Sequence, residues 1–116
     1  METSKETLRP KTLYGMTFEM GNGCGKMHVT VNHTKAGEIR EVFARLGKHG
    51  GCMMANTDMA GRLISLALRS GVPADKIIKH LHGINCGSSG NGILSCPSCI
   101  SSAVEQARDI LKEESK

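Results

Sequence analysis

Gly15-Met-Thr-Phe-Glu-Met-Gly-Asn-Gly-Cys-Gly-Lys-Met-His-Val-Thr-Val-Asn-His33 is the stretch that decides the fold. Met16, Phe18 and Met20 alternate with Thr17 and Glu19, and Met27, Val29 and Val31 alternate with His28, Thr30 and Asn32. A period of two puts every apolar residue on one face of a strand. Gly21-Asn-Gly between the two runs supplies residues that tolerate positive φ, so they read as a hairpin. Thr34-Lys-Ala-Gly37 is the next turn. A third strand is expected over 38–46, with Val42, Ala44 and Leu46 on one face. Ile39 and Phe43 fall on the other face, which calls for a bulge or for burial on both sides. The result is an antiparallel meander.

After Gly47-Lys-His-Gly-Gly-Cys52 the period changes. Met59, Leu63, Leu66 and Ala67, with Ile64 alongside, recur at helical spacing to about Ser70, and Gly71 suits a helix C-terminus. Met53, Met54 and Met59 read as core filler. Pro73 starts a second helix with Ile77, Ile78 and Leu81 apolar, closed by Gly83. His80 and His82 fall at its end, where partial positive charge is favoured. Pro97 starts a third helix, capped by Ser95 or Cys96, whose expected buried stripe is Ile100, Ala103, Ala107, Ile110 and Leu111. Strands followed by helices give an α+β fold: a three-stranded antiparallel meander with three helices packed on one face. The expected organisation is a flexible tail over 1–11, one domain over 12–112 and a frayed end over 113–116.

The composition narrows the function. With one Tyr, two Phe, no Trp and a formal charge of +4 spread among acids, there is no basic stripe with stacking aromatics, so nucleic acid is not an expected partner. No apolar run approaches the roughly 20 residues of a membrane span, and the polar start carries no signal-peptide core. A cytoplasmic protein without membrane contact is expected. In a reducing compartment, five cysteines point to metal or redox chemistry rather than a disulfide framework.

Cys24 and Cys52 each sit in a glycine-rich turn, while Cys86 and Cys96 bracket a glycine- and serine-rich loop. Four cysteines from four separated turns can close a tetrahedral zinc site. In a meander, the first turn and the end of the third strand lie at the same edge. Glycines beside Cys24 and Cys52 let backbone approach sulfur, and a helix N-terminus favours the Cys96 thiolate. Lys26, Lys48 and His49 flank these turns and would offset the excess negative charge. The bland alternative is that some of the cysteines are small buried hydrophobes.

Cys99 is the fifth thiol. Cys96-Pro-Ser-Cys99 at a helix start can act as a redox dithiol, although such a motif is expected after a strand of a βαβ unit. Cys99 is thus a candidate redox thiol or alternative ligand, and an iron–sulfur cluster is the alternative occupant of the site. His28 and His33 read as solvated strand residues. No Ser–His–Asp set or carboxylate pair stands out. Gly21-Asn-Gly-Cys-Gly25 precedes a strand rather than a helix, so it lacks the setting of a phosphate cradle.

Several stretches together resemble the TSCPD domain found at the C-terminus of adenosylcobalamin-dependent (class II) ribonucleotide reductases. They are Leu13-Tyr-Gly-Met-Thr17, Gly25-Lys-Met-His-Val-Thr-Val-Asn32, Leu46-Gly-Lys-His-Gly50, Gly61-Arg-Leu-Ile-Ser-Leu-Ala-Leu-Arg-Ser-Gly71, Leu81-His-Gly-Ile-Asn-Cys86 and Leu94-Ser-Cys-Pro-Ser98. The resemblance runs from about Arg9 to Leu111. It implies a metal held by Cys24, Cys52, Cys86 and Cys96, and an accessory or docking role beside the reductase in deoxynucleotide synthesis. Where the family reads Thr-Ser-Cys-Pro-Asp, this chain has Leu94-Ser-Cys-Pro-Ser98, and Cys99 is extra to the four-cysteine pattern. The order of strands, helices and cysteines also resembles NifU-type iron–sulfur scaffolds, with Cys24, Cys52 and Cys96 at matching places. The reductase's barrel, radical cysteine and cobalamin site have no room in 116 residues, so no reductase activity or cobalamin site is expected here. Association of copies through the sheet edge or the Met-rich helix stays open.

Overall fold

The computed structural model describes residues 10–22, 25–47, 51–84 and 96–114, with the side chains of 22 and 51–53 excepted. Three strands, β1 (Tyr14–Asn22), β2 (Gly25–His33) and β3 (Ile39–Leu46), precede three helices, α1 (Gly51–Arg69), α2 (Ala74–Leu81) and α3 (Cys96–Glu114). The sheet is antiparallel in the order β1-β2-β3, so the expected α+β meander is the observed fold.

Alternation sets the faces. Met27, Val29, Val31, Val42 and Leu46 are buried on the inner face, with Met16, Phe18, Met20 and Ala44 packed half-buried beside them. Asn32 pairs with Glu41 while His33 pairs with Ile39, so one residue of β3 is left over at this point. This shift is the expected bulge. It turns Ile39 onto the core, whereas Phe43 stays exposed on the outer face. α3 lies across the inner face through Cys99, Ile100, Ala103, Val104, Ala107 and Leu111. α2 docks on α3, where the buried Ser101 hydroxyl donates to the Ile78 carbonyl at 2.9 Å.

α1 departs from its expected packing. Met59, Leu63 and Leu66 are 53, 58 and 43% exposed, and the buried side is Thr57, Gly61, Ile64, Ser65 and Leu68. The reason is where the helix lies. The Gly47 N–H donates to the Lys26 carbonyl at 2.9 Å, which makes Lys26 and Gly47 a hydrogen-bonded pair. By the alternation of an antiparallel ladder, Val42 then turns its own N–H and C=O away from β2. The Ser65 hydroxyl accepts from that N–H and donates to that carbonyl, both at 3.0 Å. α1 therefore runs along the edge of β3, and the edge selects small and polar residues. A Cβ on Gly61 would sit 3.1 Å from the Val42 carbonyl oxygen, so glycine permits the close approach.

On α3, Ile110 is exposed and Val104 takes its place in the stripe, because α3 presents residues 100, 103, 104, 107 and 111 to the sheet. α3 runs to Glu114. On the outer face Glu41 is buried at 3% exposure. Asn32 Nδ2 donates to its carboxylate at 3.1 Å and Arg69 of α1 approaches to 3.8 Å. A Cβ on Gly15 would collide with the Asn32 side-chain oxygen, so Gly15 makes room for this arrangement.

Ser65→Ala leaves the Val42 N–H and C=O facing a methyl group in a buried setting. Loss of such a pairing costs about 1–3 kcal/mol, to be read by chemical denaturation. Ser65→Thr, which keeps the hydroxyl, is expected to lose less. Equal loss in both variants would make the site one of packing rather than hydrogen bonding.

Candidate metal centre

Described residues that neighbour the cysteines in sequence meet at one end of the sheet. β1 and β2 pair from Tyr14–His33 down to Asn22–Gly25, so Cys24 belongs to the two-residue connection that joins them. β3 ends at the same place, with Leu46 opposite Met27 and Gly47 bonded to Lys26. α1 begins four residues after Gly47, and Cys52 is its second residue. α3 begins at Cys96, and the Cys99 thiol points at the Gly21 carbonyl at 3.9 Å. The Ser98 hydroxyl donates to the Ile84 carbonyl at 3.4 Å, which holds Ile84 against the first turn of α3.

Cys24, Cys86, Lys48, His49 and Ser95 themselves lie outside the described residues, and so does the side chain of Cys52. Cys96 is half-buried and packs against the core, and both it and Cys99 are thiols outside any disulfide. Among the described residues no group of three or more His, Cys, Asp or Glu side chains is placed to hold a metal ion. Among the described residues, Cys96 and Cys99 contribute sulfur at this end of the molecule, a donor that suits zinc or an iron–sulfur cluster and is a poor match for magnesium or calcium.

Cys99 is 0% exposed, fixed in the core between α3 and the sheet. Its burial was not legible from the Cys-x-x-Cys spacing, because that spacing does not say which turn of the helix faces inward. Ser98 was likewise missed as a contact. It stands where the resembled pattern has aspartate, and its hydroxyl donates to a carbonyl, a role no ionised carboxylate can take.

The remaining candidates are occupied elsewhere. Lys26 Nζ lies 2.8 Å from Glu19 Oε1 on the outer face. Its hydrogen bond to Glu19, reinforced by their opposite charges, raises the Lys26 pKa and lowers that of Glu19. His33 Nδ1 lies 2.8 Å from the Thr34 carbonyl and its ring stacks on Tyr14. His82 caps α2 through its backbone N–H, while the His80 and His82 side chains are exposed. The outer face of the sheet and the first half of α1 frame an open cleft lined by Thr17, His28, Thr30, Phe43, Arg45 and Asp58. Among the described residues that line it there is no carboxylate pair.

Because the Glu19 carboxyl is held below its ordinary value, its contribution to stability is present above the unfolded pKa and fades as pH falls through the folded one. The raised Lys26 contributes below the ordinary lysine range and fades as pH rises through its folded value. Lys26→Gln is expected to move the Glu19 titration midpoint, followed by NMR, back up towards the ordinary glutamate value. No movement would assign the shift to another cause.

A family model described as the TSCPD domain matches residues 2–108. No curated protein and no solved structure matches the chain.

Proposed function

The chain belongs to the TSCPD domain family, and on that premise we propose that it is a zinc-binding accessory module rather than a complete reductase. Zn²⁺ would be held by Cys24, Cys52, Cys86 and Cys96. What carries this reading is the convergence at one end of the sheet: Cys99 Sγ against the Gly21 carbonyl and Ser98 Oγ against the Ile84 carbonyl. Asn22 and Gly25 bracket the two-residue step Gly23-Cys24, and Cys86 lies two residues past Ile84, a step that an extended chain covers in at most about 7 Å. Cys52 and Cys96 open α1 and α3, and a helix N-terminus favours the thiolate that a metal requires.

Zinc in such a site would act as a structural cross-link. The residues of this chain do the positioning. Ser98 holds Ile84, two residues before Cys86 in sequence, Gly47 N–H ties the end of β3 to β2, and Cys99 fixes the first turn of α3 against Gly21 of β1. The module's role would be docking beside an adenosylcobalamin-dependent ribonucleotide reductase in the cytoplasm, in support of deoxynucleotide synthesis. A redox relay through Cys96 and Cys99 is the less supported reading. Cys99 is sealed in the core, so a partner would reach it only through Cys96.

Protein purified without added metal is expected to carry about one zinc per chain, one structural ion closing a four-cysteine site. Ala substitution at Cys24, Cys52, Cys86 or Cys96 should abolish the zinc. Cys99→Ala should keep the zinc and lose only about 1 kcal/mol of stability, a typical cost for a buried point change. A metal-free, fully folded protein would sink the zinc reading, and visible absorbance from anaerobic preparations would replace zinc with an iron–sulfur cluster. Calorimetric titration with a class II reductase tests the docking role separately.

A further inference from the structure

The two edges of the sheet are treated differently. α1 closes the β3 edge. β1, nine residues long, is the other edge, and among the described residues no other strand pairs with it. Its hydrogen-bonding pattern follows from the rest of the ladder. Lys26 is bonded towards β3, so Met27, Val29 and Val31 turn their polar groups to Met20, Phe18 and Met16. Gly15, Thr17, Glu19 and Gly21 therefore direct their N–H and C=O groups outward. The Gly21 carbonyl is met by Cys99. Among the described residues the open edge is thus Gly15 to Glu19, and its midpoint is Thr17.

We propose that this edge pairs with the same edge of a second copy, antiparallel about a two-fold axis at Thr17, to make a continuous six-stranded sheet. The register is self-complementary. Thr17 faces Thr17 of the second copy, and Gly15 faces Glu19, so no like charges stand opposite one another. Glu19 keeps its ion pair with Lys26. On the inner face Met16 lies beside Phe18 and Tyr14 beside Met20 across the junction. These are the apolar residues that the single chain leaves half-buried or, for Tyr14, 50% exposed. Cross-strand contacts of this type stabilise a sheet, and a long unpaired edge bordered by apolar side chains is the usual template for strand addition. A register centred on Glu19 would place two carboxylates opposite each other, and one centred on Phe18 would compete with Cys99 for Gly21.

Sedimentation equilibrium of the intact chain, with amide exchange followed by NMR, tests this. The expected result is twice the 12.4 kDa chain mass, with slow exchange at the Gly15, Thr17 and Glu19 amides. Thr17→Pro removes an N–H that β2 does not use, and Thr17→Lys sets two cations opposite each other at the junction. Both should halve the mass at matched concentration and speed exchange at Gly15 and Glu19 by at least roughly tenfold, a local opening of the edge, with the circular dichroism of the fold retained. If Thr17→Pro does not fold, Thr17→Lys decides alone. A monomeric wild type overturns the proposal, including one whose edge amides are protected by the chain's own residues 1–9 or whose edge takes up only a foreign peptide. A dimer that survives Thr17→Lys also overturns it and moves the interface elsewhere, for example to Met59, Leu63 and Leu66.

Discussion

One serine hydroxyl completes the β3 edge. Ser65 bonds both polar groups of Val42 and so takes the place that a fourth strand would have occupied. Once that contact is made, α1 has to run along the edge rather than over the face, and Gly61 has to be glycine. The inner face is then free for α3, which crosses the sheet and delivers Cys96 and Cys99 to the end where the hairpin turns. Arg69 and Glu41 fasten the far end of α1 to the outer face. The position of α1 and the access of α3 to the sheet are two sides of one constraint.

The strands were legible because a period of two has one interpretation when the apolar residues alternate without a break. Even the irregularity was legible: Ile39 and Phe43 could not both share a face with Val42, and the bulge between Asn32 and His33 resolves the conflict. α1 was not legible in the same way. Its apolar residues at 59, 63 and 66 describe a helical stripe, and a stripe is ordinarily taken as the buried side. The docking surface here is a strand edge, whose exposed N–H and C=O groups reward Thr57, Gly61 and Ser65 instead. Sequence pattern reports hydrophobic burial well and reports burial against backbone polar groups poorly.

The candidate site shows the same division. That the hairpin turn and the end of β3 share an edge follows from meander topology alone. That the first turn of α3 joins them depends on Cys99 facing inward and on Ser98 reaching Ile84, two tertiary contacts with no local signature. The spacing of Cys96 and Cys99 suggested a matched pair. Their surroundings make them unlike: one half-buried at the helix start, the other a core residue one turn further on.

The contact between Cys99 and Gly21 joins residues 78 apart in sequence. Thr17 and Thr30, by comparison, meet over 13 residues, and Ser65 and Val42 over 23. Closing a longer loop costs more chain entropy, growing with the logarithm of its length, and such contacts form late in folding. The meander and α1 can therefore assemble as the chain is made, while the cysteine end waits for α3. A metal bound there would lock the last step of assembly, and its presence would mark a chain that has finished folding.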